Sequence, residues 1–425
     1  MTRRRTLSYG MLAWMATLWA CGGGGGPTSP DAGATPTPKV DGMSSATAKR
    51  GPKLIRGGKG QIGKRAQAVN RDCSDYVRAH RQVRSYDLGY QPPQGLALES
   101  PASGPTVFFG SNDHSLYALD AQSGSLRWRY TTGDWVRSSP LVVDGRVYVG
   151  SHDSKLYAFN AVDGTLLWTW PTCAWAWGSP TKADDMILIN GWDNYLYAVD
   201  ALTGKRRWSF NLETYAATTP ASDGTRVYAN SDAPLFWALD QATGKLVWKT
   251  RIGARSRSSP AVADGRVFVG TNASRFLALD AETGKKLWSH RTRGWIWSSP
   301  KVVGDRVVFG SRDGRVYCLS TETGKRLWSF RTGGWVDAPP RIDHGRVYIG
   351  SHDAFLYALD LETGSEIWRF KTDGFIGAAA AVLDGHVFVG SYDHFLYALD
   401  ADSGDLLWRF EADDWITSSP AAVRL

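Results

Sequence analysis

The sequence predicts an all-β fold, an eight-bladed β-propeller of four-stranded antiparallel blades closed by its N- and C-terminal strands. Three observations lead there. One phrase recurs every 40 residues, each copy holds four short strand candidates set apart by turn residues, and the two chain ends each carry part of a single blade.

The copies begin at Gly110, Gly150, Asn190, Asn230, Gly270, Gly310, Gly350 and Gly390, and their tightest segment runs from ALDAQSGSLRW at 118 to ALDADSGDLLW at 398. In the copy around Gly350 the expected strands are WVDAPPRI (335–342), GRVYIG, FLYALD and SEIWRF. His344-Gly345 and Asp360-Leu361-Glu362-Thr363-Gly364 supply the turns: Asp and Thr side chains bond turn amides, and Gly takes the left-handed backbone. Strands such as RVYIG and FLYALD are apolar on both sides, so a lone sheet leaves a greasy face in water. Stacking sheets covers those faces, and closing the stack into a ring removes the end units.

Trp128, Trp168, Trp208, Trp248, Trp288, Trp328, Trp368 and Trp408 fall once per unit on the outer strand and are expected to dock each blade on its neighbour. From Gly104 to Leu425 there are 322 residues, eight periods with two to spare. The repeat opens on GPTVFFG, a second-strand sequence, and ends on DDWITSSPAAVRL, a first-strand sequence, so the last segment supplies the inner strand that the first lacks.

Ahead of the repeats, residues 1–20 read as a lipoprotein signal peptide: Arg3, Arg4 and Arg5, a short apolar stretch, then Leu18-Trp19-Ala20 before Cys21, the expected lipidation site. Residues 21–92 are rich in Gly, Pro, Ser and basic residues and are expected to be a flexible, largely disordered tether, followed by the propeller at 93–425. Gly22, where an Asp would otherwise mark retention at the inner membrane, points to the periplasmic face of the outer membrane.

The formal charge of +8 is misleading. Residues 21–92 hold 12 Lys/Arg against 5 Asp/Glu, whereas residues 93–425 hold 34 against 36. The ring is nearly neutral, which argues against nucleic acid as a partner. With Cys21 lipidated, Cys73, Cys173 and Cys318 allow at most one bridge, and Cys318 stands where the repeat has Ala.

The motif A-x-D-x-x-T-G-x-x-x-W resembles the repeat of the pyrrolo-quinoline-quinone (PQQ) propellers, over residues 104–425. Within that superfamily, a lipoprotein made of the propeller alone is most similar to the BamB family, which serves outer-membrane β-barrel assembly. The resemblance implies a non-catalytic, membrane-tethered protein-binding scaffold, a monomeric ring whose partners are envelope proteins such as the β-barrel assembly machinery. The alternative it also implies is a PQQ-dependent dehydrogenase or a small-ligand-binding propeller. Enzymes of the superfamily hold the quinone over the ring mouth with calcium and often an adjacent Cys pair. This chain has no Cys-Cys and no interruption of its period to house such a site, so no cofactor, metal or catalytic residue is expected.

Repeated carboxylates at Asp113, Asp153, Asp193, Asp313, Asp353 and Asp393 read as turn-tying groups, because they are equivalent in every blade that has them. Specific binding is sought where the copies disagree. Ala233 and Ala273 replace that Asp, and the loop entering the inner strand varies as Arg137, Trp177, Ala217, Arg257, Trp297, Asp337, Gly377 and Thr417, with Arg255 in an aromatic position. Both stretches are expected on one face around the channel mouth. Arg255, Arg257, Arg275 and Arg293 beside Trp297, with Trp177 and Arg137 further round, form the candidate partner-binding set. His114, His152, His352 and His394 share the variable turn without metal-ligand spacing.

Overall fold

In the computed structural model the described residues are 104–425, and they form eight four-stranded antiparallel sheets with no helix among them. The expected signal peptide, Cys21, the tether and residues 93–103 lie outside the described residues. Blade 1 comprises three strands within 105–131 plus the C-terminal strand Ala421–Arg424. Blades 2 to 8 follow at 141–171, 181–211, 221–251, 261–291, 301–331, 341–371 and 381–411.

Blade 7 shows the construction. Its strands are Arg341–Asp343, Arg346–Gly350, Phe355–Asp360 and Glu366–Lys371. The inner strand is therefore shorter than the expected 335–342. Pro339 and Pro340 have no N–H for a ladder, the Val336 amide donates to the Ser311 carbonyl and the Trp335 carbonyl accepts the His352 amide, so this stretch is a structured loop. Four consecutive residues of Phe355–Asp360 are buried, as expected of a strand covered on both faces. Tyr348, Leu356, Val387, Val389 and Leu399 belong to one apolar cluster shared by blades 7 and 8, and each of the eight blade interfaces has such a cluster.

The outer hairpin explains the repeated phrase. Asp360 Oδ1 accepts the Thr363 amide and hydroxyl at 2.8 and 2.7 Å, and the Gly364 amide donates to the Asp360 carbonyl at 2.8 Å. Gly364 has φ of 74°, and a Cβ there would lie 2.5 Å from the Trp328 ring. Glycine is thus demanded twice, by backbone and by the indole lying on it. Trp328 Nε1 donates to the Leu361 carbonyl at 2.8 Å, and the equivalent bond recurs at every blade interface. Across the ladder each Trp faces a small residue, Ala358 for Trp368 and Cys318 for Trp328.

Ring closure repeats these contacts across the chain ends. Thr106 and Phe108 pair with Val423 and Ala421, Trp408 Nε1 donates to the Ala121 carbonyl at 3.2 Å, and the Gly110 amide donates to Ser418 Oγ at 2.8 Å. Cys318 is free and fully buried, which pushes its thiol up to about 12. Cys173 is disulfide-bonded.

Candidate functional site

Two loops of each blade meet on one face, the turn between second and third strands and the loop entering the inner strand. Backbone bonds tie them together: Arg312 N–H to Trp295 C=O at 2.8 Å, His352 to Trp335 at 2.8 Å, Asn112 to Trp415 at 2.9 Å, and their counterparts in the other five blades. Both variable stretches therefore share a face, as the repeat geometry predicts.

The turn carboxylate has a structural task. Asp353 Oδ2 accepts the Gly333 amide at 2.6 Å and the Tyr357 hydroxyl at 2.8 Å, while Oδ1 accepts the Phe355 amide at 3.1 Å. The Asp–Tyr bond recurs at Asp113–Tyr117, Asp153–Tyr157, Asp193–Tyr197, Asp313–Tyr317 and Asp393–Tyr397. In blades 4 and 5 the pair is lost as a pair: Ala233 comes with Trp237 and Ala273 with Leu277. Donor and acceptor leave together, so neither is stranded in the core.

The mouth is filled by side chains that bind one another. Arg312 forks onto Asp337 through Nε at 2.9 Å and Nη2 at 2.7 Å, and its guanidinium lies 3.2 Å from the Trp297 ring centre and 4.7 Å from that of Trp335. His352 Nε2 lies 3.3 Å from Asp337 Oδ2. Burial opposes the charged form of Asp337, yet the bonds from His352 and Arg312 outweigh it and hold its carboxyl below the usual range. Trp297 Nε1 donates to Asn272 Oδ1 at 3.0 Å, and Arg257 stands 4.7 Å from the same indole.

On the opposite side His152, 3% exposed, stacks on Trp175 at 4.9 Å and touches Trp177 at 4.8 Å, and Trp177 stacks on Trp192 at 5.3 Å. Burial, helped by the nearby Arg137 charge, pulls the His152 imidazole down to about 3, so it is neutral at pH 7. Arg137 donates to Asn112 Oδ1 at 3.1 Å and lies 4.3 Å from the Trp135 ring.

The structure divides the predicted binding set. Arg137, Trp177, Arg257 and Trp297 belong to this interlocked mouth. Arg255 is exposed but pairs with Asp232 at 3.3 Å. Arg275 and Arg293 lie outside the mouth, on the rim of blade 5, where Arg293 lines an open cavity of about 540 Å³ with Ala273, Ser274, Arg291 and Thr292. Sequence reasoning passed over Arg312 and Trp192 and weighed His152 only as a metal ligand; all three occupy the position just before the turn Asp. That column reads Asn112, His152, Trp192, Asp232, Asn272, Arg312, His352 and Tyr392, and its variation was a signal open to inspection.

The quinone and calcium that the superfamily resemblance implies do not fit this mouth. The indoles of Trp177 and Trp297 are covered by His152, Trp192, Arg257 and Arg312, and the Asp337 carboxylate is already held by Arg312. Among the described residues no group of three or more His, Cys, Asp or Glu is placed to hold a metal.

Comparison with known proteins agrees with the repeat. The family model described as outer membrane protein assembly factor BamB matches residues 79–185, 192–296, 293–374 and 352–424. The chain belongs to this family. Among solved structures, BamB from Moraxella catarrhalis is 19% identical with a TM-score of 0.58, covering 74% of this chain and 97% of that one. The computationally designed Ika8 protein is 17% identical with a TM-score of 0.64, covering 72% and 98%. Quinohemoprotein alcohol dehydrogenase from Comamonas testosteroni is 15% identical with a TM-score of 0.60, covering 71% and 72%. At these identities the structures share the fold alone. No curated protein matches the sequence.

Proposed function

We propose that this BamB-family propeller is a non-catalytic protein-binding scaffold of the bacterial envelope, tethered through lipid on Cys21 and serving outer-membrane protein assembly. The observation that supports this reading is the self-filled mouth: its arginines, indoles and imidazoles are matched to each other, which leaves the face available as a surface and not as a reaction chamber. The unbroken 40-residue period supports it too, because it leaves no inserted loops to build a chamber above the ring. The export signal and the outer-membrane address are part of the same proposal.

The test is to purify the lipidated protein from its native membrane and identify what comes with it. Outer-membrane assembly proteins in stoichiometric amount are the expected result, and their absence would sink the scaffold reading. In parallel, dye reduction is measured after adding quinone, calcium and a panel of alcohols. No turnover above background is expected, and turnover would establish the dehydrogenase alternative.

A further inference from the structure

We propose that the outer rim of blades 5 and 6 is the docking site for an acidic, extended polypeptide segment that also carries apolar side chains. The proposal rests on the scaffold reading and names its partner's chemistry.

The first observation is unpaired charge. Arg275 and Arg291 face each other across the blade 5 ladder, Arg315 and Arg331 do so across blade 6, and Arg293 stands on the loop between them. None of these five guanidinium groups has a carboxylate within ion-pair distance among the described residues, although 15 Lys/Arg–carboxylate pairs are formed elsewhere. Like charges set opposite each other across a ladder oppose folding, and an anion bound against them would relieve that repulsion. Arg291 and Arg293 also line the cavity of about 540 Å³, together with Ala273, where six other blades place Asp.

The second observation is exposed aromatic surface beside that charge. At the same loop position Trp295 and Trp335 are 44% and 38% exposed, whereas Trp135, Trp175 and Trp415 across the ring are half-buried against neighbours. Arg312 fixes both exposed rings, at 5.8 Å from Trp295 and 4.7 Å from Trp335, so they are held ready and not free to collapse. Rigid Trp flanked by Arg is the composition of an interface hot spot.

The third observation selects a polypeptide over an anionic membrane. The far half of the same face carries Asp134, Asp373, Glu411, Asp413 and Asp414, which a flat anionic surface would have to approach as well. A segment confined to blades 5 and 6 meets the arginines and avoids those acids. Because the arginines span two blades, one extended segment can reach them all.

The experiment uses the mature protein and a fluorescein-labelled 14-residue peptide of alternating Glu and Leu, with a Lys-for-Glu counterpart and with vesicles containing anionic phospholipid. The R291E/R293E/R331E variant is compared with K245E/K285E/K325E, which makes the same charge change on lysines of the outer hairpins at the opposite face. We expect the acidic peptide to bind in a salt-sensitive manner, about tenfold or more weaker to the first variant and unchanged to the second. Matching circular dichroism and Tm confirm that the variants fold. Failure of the acidic peptide to bind, equal binding by both variants, or binding to vesicles in preference to the peptide would each overturn the proposal. The two readings fail separately: if native partners co-purify undiminished with R291E/R293E/R331E, this site is wrong and the scaffold stands, whereas no partner with the wild type removes the scaffold.

Discussion

The outer belt and the mouth of this ring are written with the same repeat, yet they use it in opposite ways. In the belt every blade makes one indole bond to a carbonyl of the next blade, over a glycine with positive φ, eight times with distances of 2.8–3.2 Å. At the mouth no two blades share a residue set: Arg312–Asp337–His352 closes one side and His152–Trp175–Trp177–Trp192 another. Sameness suits the belt because eight equal interfaces must meet around a circle. The mouth is under no such constraint, since its loops hang from a frame already closed, and difference there costs the fold little. Specific recognition can therefore accumulate at the mouth and rim without disturbing closure.

The widest gap between the two regions should show in truncation. Trp328→Ala removes an indole 8% exposed together with its bond to Leu361, and is expected to lose about 3–5 kcal/mol in denaturant unfolding. Gly364→Ala, beneath the same indole, should lose at least the ~1–2 kcal/mol of a forced left-handed backbone. Arg257→Ala at the mouth, which removes only one cation from a loop side chain, should shift stability by less than about 1 kcal/mol. Equal losses at belt and mouth would remove the distinction.

That distinction also explains what the sequence made legible. Blade number, closure by the two ends and the Trp belt follow from translational repetition, and each is visible because a required residue recurs at 40. The inner strand was overextended because WVDAPPRI has strand-like composition, while its amides are bonded sideways to the neighbouring turn, a tertiary fact with no local trace. At the mouth, positively charged side chains were legible but their partners were not. Arg257 and Arg293 look alike in the repeat, and only the folded ring shows one laid on Trp297 and the other open to solvent. Covariation inside the repeats was there to be used: the joint loss of Asp and Tyr in blades 4 and 5 states that the two residues touch.

Acid should separate the regions next. The His152 imidazole is held near 3 in the fold against 6.5 when unfolded, so the unfolded chain binds the extra proton first and stability falls as pH drops below 6.5, by about 1.4 kcal/mol per unit until pH 3. His152→Phe keeps an aromatic ring between Trp175 and Trp177 and is expected to flatten the fall in Tm between pH 6.5 and 4. An unchanged profile would mean that His152 is not a neutral group caged by Trp175 and Trp177.

A double-mutant cycle tests whether the turn carboxylate is architecture. Asp353→Ala leaves the Gly333 and Phe355 amides and the Tyr357 hydroxyl without their acceptor and should destabilise by about 1–3 kcal/mol. Asp353→Ala with Tyr357→Leu copies the arrangement of blade 5, and should recover part of that loss, with a coupling of about 0.5–3 kcal/mol. Strict additivity would mean that the joint substitutions in blades 4 and 5 are unrelated.

The smallest effect belongs to the belt's exposed turns. Asp200 is held down to about 2 by the Arg207 guanidinium and by the Thr203 hydroxyl and amide, and the Thr hydroxyls at 243, 283 and 363 lower Asp240, Asp280 and Asp360 in the same direction. A carboxyl whose folded pKa lies below its unfolded value adds stability above about pH 4 and loses it as pH falls toward 2. The belt should thus respond to acid only after the mouth has responded, and Asp→Asn at a single turn should trim the pH 4–2 part of the Tm curve while leaving the pH 6.5–4 part to His152. Since these turns are open to water, each contribution is small, and it is their separate pH window that makes them measurable.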